Sequence, residues 1–215
     1  MSSENQAWKQ RWREGKTGFH QDEINPQLVE HWPDLVADAT CPVLVPLCGK
    51  SSDMAWLSKR GHAVVGVELS ELAGRAFFAE QGIEATASQR DSFLVLSGGG
   101  IDIWIGDFFE LTTEHIGVVP AWYDRAAVVA LEPGRRAAYA AQIARLLSPR
   151  ATGFMLTFDY PAEERRGPPF SVSYADVEHH FGEQFDLTLL DCLDLTPGNR
   201  WELSRIGKPV IRLQR

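Results

Sequence analysis

The stretch CPVLVPLCGKSSDMAWL, residues 41–57, decides the fold, because it runs from a short apolar strand through Gly49-Lys50-Ser51 into a helix. Two familiar readings fail. A phosphate-binding Walker loop needs a glycine five residues before its Gly-Lys-Ser, so that bare backbone N–H groups can wrap a phosphate, and Leu44 stands there. A dinucleotide fingerprint needs three glycines, and only Gly49 is present. What survives is a strand, a sharp turn at Leu47-Cys48-Gly49, a helix, a second strand AVVGVE, and an acid at its end. Glu68 follows the turn by about twenty residues, the distance at which a carboxylate accepts the hydroxyls of an adenosine ribose. Spacing alone also allows Glu68 to be a solvated residue or a helix cap.

Outward from this unit, apolar runs alternate with amphipathic segments, the rhythm of a parallel α/β sheet. Strands are expected near 43–47, 63–67, 101–105, 120–124, 151–158, 185–191 and 208–213. Helices are expected near 52–60, 71–81, 134–147 and 174–182. Ser70 is placed as an N-cap with Gly82 as the stop, and Pro133 as the opening of a helix. LSGGGID lies before a strand, so its glycines read as a hairpin turn and not a phosphate cradle. The first forty residues carry Trp8, Trp12, Phe19 and Trp32 among charges without strand periodicity, as expected of one or two helices forming a cover.

A chain of 215 residues, 44% hydrophobic and 23% charged, is expected to form a single domain, 1–215, with 1–40 as its N-terminal helical cover. The formal charge of -8 opposes a nucleic-acid partner, since phosphate affinity needs a basic face, and favours a small molecule. Without a signal-like or membrane-spanning apolar run, a cytoplasmic protein with no membrane partner is expected. Cys41, Cys48 and Cys192 lack paired spacing and read as reduced thiols. His179 and His180 are expected to point apart on a helix as solvated residues, so no metal site is read.

Two later strand ends matter. IDIWIGDFFEL ends a strand at Gly106-Asp107-Phe108, where a carboxylate can accept from an adenine amino group and a ring can stack on its face. PAWYDRAAVVAL ends another at Tyr123-Asp124-Arg125. Ligands of open α/β sheets sit outside the carboxyl ends of the strands, so Leu47, Glu68, Asp107 and Arg125 are expected on one rim. The plainer alternatives are that Asp107 caps the following turn and that Arg125 pairs with Asp124 or Asp107.

VPLCGKSSDMAWL, GVELS, GDFFEL, YDRAAVVAL and GPPFSV, with the N-terminal WKQRWREGKTGFHQDEINPQL, resemble the thiopurine S-methyltransferase family, especially its bacterial members, in the same order and over nearly the whole chain. The resemblance implies a three-layer Rossmann-like class I methyltransferase fold of seven strands, the last antiparallel. It implies S-adenosyl-L-methionine as cofactor, held by Trp12, Leu47, Glu68 and Arg125, to which the strand-end reading adds Asp107 and Phe108. Arg125 is the catalytic candidate. Phe19, Phe170 and Arg200 are candidates for the acceptor side, with Arg205 a rival to Arg200 and core packing an alternative for both rings. The implied activity is methyl transfer to the sulfur of a small aromatic or heterocyclic thiol by a monomer, with selenium or tellurium oxyanions as further acceptors. Oxygen or nitrogen methylation, a non-catalytic adenosine-binding module and, for want of the glycine triad, a nicotinamide oxidoreductase stand behind it.

Overall fold

The computed structural model describes residues 3–215, which pack as two compact units, one up to Val119 and one of Pro120–Arg215. Among the described residues the elements are α1 (Ser3–Arg13), α2 (Pro26–Leu35), β1 (Val43–Val45), α3 (Asp53–Lys59), β2 (Val64–Glu68), α4 (Glu71–Gln81), β3 (Thr86–Arg90), β4 (Phe93–Gly98), β5 (Ile101–Ile105), α5 (Thr113–Ile116), β6 (Val119–Arg125), α6 (Arg136–Leu146), β7 (Leu147–Leu156), α7 (Tyr174–Phe181), β8 (Asp186–Asp194) and β9 (Gly207–Gln214). No helix among them is long and apolar enough to cross a membrane.

In the first unit the strand order is β3-β4-β5-β2-β1. β1, β2 and β5 run parallel, and Val43–Val45 is buried on both faces, as continuous apolar strands of a parallel sheet should be. β1 stops at Val45, two residues short of expectation. Pro46 brings no N–H to a ladder, and Leu47 turns into the left-handed region at φ 47. In the second unit the order is β6-β7-β9-β8, with β9 antiparallel to both neighbours, so the last strand is antiparallel as expected.

The expectation of seven strands is corrected to nine among the described residues. The additions are β3 and β4, an antiparallel pair whose second member pairs antiparallel with β5. TASQR of β3 is exposed throughout and carries no apolar alternation, which is why periodicity passes over it. The Gly99-Gly100 turn between β4 and β5 is the hairpin turn read in LSGGGID. The hairpin also reaches the strand end that matters: a Cβ on Gly106 would meet the ring of Phe93 at 2.4 Å, so that ring lies directly on the backbone leading out of β5.

Three local expectations change. Ser70 occupies the N-cap position of α4 without a side-chain cap bond; its backbone N–H donates to Glu68 instead. Gly82 does end that helix, left-handed at φ 64. Pro133 opens a 3-10 turn, Pro133–Arg135, and α6 begins only at Arg136 and runs straight into β7. His179 and His180 do not diverge: their rings lie 4.9 Å apart, edge to face. All three cysteines are free.

Candidate active site

The first unit gathers one set of candidates at the carboxyl ends of β1, β2 and β5. After β1, Leu47 at φ 47 and Gly49 at φ 55 fold the chain back, and the Cys48 N–H donates to the Val67 carbonyl at 2.9 Å. A non-glycine residue held left-handed costs roughly 1–2 kcal/mol, and such strain concentrates at working sites. The turn points the Gly49 N–H at Glu68 Oε2 (3.0 Å), while the Ser70 N–H donates to Oε1 (2.8 Å). The carboxylate thus retains acceptor capacity for a ligand. Glu68 is buried, and burial pushes its pKa up from 4.5 to about 7 against the backbone N–H groups of Ser70, Gly49 and Leu69 and the charge of Lys9. Lys50 is not placed as a phosphate ligand: it pairs with Glu80 at 2.6 Å.

Asp107 caps the short turn Phe108–Glu110, its Oδ1 accepting from the Phe109 N–H at 3.0 Å. This is the capping alternative, and it takes only one oxygen. The other, Oδ2, accepts from the Asn5 side-chain amide at 2.6 Å. The end of β5 is tied to β2 by the Gly106 N–H, which donates to the Glu68 carbonyl at 2.9 Å. Phe108 is buried and lies edge-on to Phe109. Trp12 is buried against the turn: a Cβ on Gly49 would lie 3.4 Å from its ring. Phe19 fits between Trp8 and Trp12, at 5.6 and 5.4 Å and edge-on to both, so it belongs to an aromatic cluster of the N-terminal segment.

The second unit holds Arg125 at the end of β6, followed by Ala126 at φ 66. Asp124, fully buried, anchors this turn: its Oδ1 accepts from the N–H groups of Ala127 (3.0 Å) and Val128 (3.3 Å), and its Oδ2 from the Tyr139 hydroxyl (2.7 Å). Burial raises the Asp124 pKa to about 6 despite these three donors. The Phe170 N–H donates to the Val129 carbonyl at 2.7 Å, which ties GPPFSV to the segment following Arg125. The Phe170 ring folds back over Gly167, where a Cβ would meet it at 2.5 Å. Arg136 steadies the same strap by donating to the Ser171 carbonyl at 3.0 Å. Of the two C-terminal arginines, Arg205 forms an ion pair with Asp159 at 3.1 Å, whereas Arg200 is exposed and stacks over Trp201 at 5.2 Å, with Arg165 over the same ring at 4.7 Å.

Asn5, Lys9, Tyr139 and Arg136 were not among the candidates read from sequence. The first two share a signal that was available: with Trp12 they fall at i, i+4 and i+7, one face of a helix. Tyr139→Phe tests the second unit's anchor. It removes one donor from a buried carboxylate and should lower stability by about 1.5–3 kcal/mol, read as a fall in denaturant midpoint at constant m.

The sequence profile of the thiopurine S-methyltransferase family matches residues 3–215. The chain is 43% identical to the thiopurine S-methyltransferase of Pseudomonas fluorescens (strain Pf0-1), over 96% of this chain and 94% of that one. It is also 43% identical to that of Nitrosospira multiformis, over 96% of each. Among solved structures, the 1,6-didemethyltoxoflavin-N1-methyltransferase of Burkholderia thailandensis, determined with S-adenosylhomocysteine, superposes with a TM-score of 0.65 at 17% identity, covering 98% of this chain and 86% of that one, a likeness of fold. A strained turn feeding a buried carboxylate at the second strand's end, on a chain alike from end to end to these relatives, places the protein in the thiopurine S-methyltransferase family.

Proposed function

We propose that the protein transfers the methyl group of S-adenosyl-L-methionine to the sulfur of small aromatic or heterocyclic thiols, thiopurines among them. The observation that carries this is the match to the family over residues 3–215, with the Glu68 cradle intact beneath it. The donor set suits a nucleoside: an acceptor-only carboxylate for two vicinal hydroxyls, a second carboxylate at Asp107 for an exocyclic amino group, and a Gly49 whose left-handed backbone lets the turn pass under the Trp12 ring. Leu47 supplies apolar contact at the turn, Trp12 roofs it, and Phe108 supports the adenine end.

The cofactor brings an electrophilic methyl group on a sulfonium, whose departing thioether is neutral and needs no acid. What remains for the protein is to align, to exclude water and to supply a good nucleophile. A thiol attacks as its thiolate, and a guanidinium beside it favours that anion. Arg125 takes this part; it stays charged and does not act as a general base. Phe170 and Arg200, with Phe19 from the N-terminal segment, are assigned to the acceptor side. The net charge of -8 supports a small-molecule acceptor over a nucleic acid.

Thermal unfolding tests the reading directly. S-adenosylhomocysteine at a hundredfold excess over its Kd should stabilise the protein by about 2.7 kcal/mol, and NAD not at all. Turnover should then appear with aromatic thiols and not with matched phenols or anilines. Stabilisation without turnover on any thiol, selenite or tellurite would identify a binding module instead.

A further inference from the structure

Helix α1 crosses the rim of the first unit in a particular order. Asn5 donates to Asp107 beyond β5, Lys9 is the charge that acts on Glu68 at the end of β2, and Trp12 lies on Gly49 beyond β1. β5, β2 and β1 are consecutive in the sheet. Residues 5 and 12 are two helical turns apart on one face, about 10.5 Å along the axis at 1.5 Å per residue. Two strand spacings are roughly 9.6 Å. The helix and the row of strand ends therefore share a repeat, with Asn5 bonded beyond β5, Trp12 packed beyond β1 and the charge of Lys9 between them.

Asn5 is the unexplained member of this set. Its amide is buried, 6% exposed, in a helix whose mean character is polar, and it spends a donor on a carboxylate 102 positions away. A carboxylate with one donor on each oxygen, Asn5 on Oδ2 and the Phe109 N–H on Oδ1, cannot rotate without breaking a charge-assisted bond. Its remaining lone pairs are then fixed in direction.

We infer that Asn5 is a positioning residue for purine selectivity: it locks the Asp107 carboxylate toward a 6-amino group and so favours adenine over a 6-oxo purine. This rests on the assignment of Asp107 to the adenine made above. A 6-oxo purine presents a carbonyl at the same place, and a fixed carboxylate repels it, whereas a loosened one can turn aside. Selectivity therefore depends on how rigidly Asp107 is held as well as on its charge.

The test compares S-adenosylhomocysteine with S-inosylhomocysteine, which differ at that position, by calorimetry on the full chain. Wild type should prefer the adenine ligand strongly, and Asp107→Ala should erase the preference. Asn5→Ala should shrink it by about fivefold or more, the scale of one charge-assisted hydrogen bond made partly redundant by the Phe109 N–H. Asn5→Leu keeps the volume, removes the donor, and should behave alike. Because the readout is a ratio, any general loosening of α1 cancels. If both Asn5 variants weaken the two ligands equally, or neither, while Asp107→Ala still erases the preference, Asn5 has no such role and the Asp107 assignment stands. If Asp107→Ala leaves the preference intact, that assignment fails and the inference falls with it.

Discussion

Arg125→Met should lower kcat/KM for aromatic thiols by about tenfold to a thousandfold, the range for removing one electrostatic group from a water-poor site. The residue closes β6 immediately after a fully buried aspartate that is pinned by Tyr139 and two backbone N–H groups, so its backbone is held in place. Arg125→Lys should recover only part of the loss, because a compact ammonium does not reproduce a planar fork. Acceptors of lower thiol pKa need less help to ionise, and for them the loss should shrink. The competing role is a structural ion pair, whose removal lowers the melting temperature and slows every acceptor alike. Rates for a series of thiols plotted against their pKa, with melting curves of the same preparations, decide between the two: a uniform loss that follows destabilisation ends the catalytic assignment.

Glu68→Gln should weaken S-adenosylhomocysteine by roughly tenfold to a hundredfold at pH 8, the worth of a charged acceptor facing hydroxyl donors. Its pH dependence is the sharper signature. Burial, the dominant influence, lifts the carboxyl to about 7 in the ligand-free protein, and under the proposed role the ribose hydroxyls bind its ionised form. Affinity should therefore rise with pH up to about 7 and level off above it, changing by up to about tenfold per unit on the acid side. Glu68→Gln should flatten this curve. Stability of the ligand-free protein runs the other way: a carboxyl raised from 4.5 to about 7 contributes fully below its unfolded value and loses that contribution as pH rises through 7, and Asp124, raised from 3.8 to about 6, loses its own through 6. Calorimetric titrations between pH 5.5 and 8.5, with melting curves alongside, check both slopes. An affinity that does not change with pH would show that Glu68 is already ionised before ligand arrives.

The parts legible in the sequence were those that local pattern controls. VLV, VVGVE and IDIWI show themselves as apolar runs, and the turn at Leu47-Cys48-Gly49 followed by Glu68 shows itself by spacing, because a parallel unit sets the distance between strand ends. Of what stayed hidden, two kinds have a plain physical reason. The strand TASQR is exposed from end to end, so no burial shaped its composition. The partners of Asp107 and Asp124 are tertiary: an asparagine 102 positions away and a tyrosine on the next long helix, neither marked by any local pattern around the acid it serves. Arg200 and Arg205 were indistinguishable for a related reason, since what separates them is Asp159, brought back by an antiparallel bridge to Gly207.

The ring of Phe93 lying on Gly106 changes how the β3–β4 hairpin should be regarded. Seen only as a pair of outer strands, it would be dispensable trim, the obvious place to shorten the protein or to splice in a tag. But Gly106 is the residue before Asp107, and it admits the ring only because it has no side chain. The hairpin thus acts as a clamp on the exit of β5, and an insertion or truncation there moves the carboxylate without touching any residue near it. If Asp107 reads the purine as proposed, minimisation of this scaffold to its parallel core should cost purine discrimination before it costs foldedness.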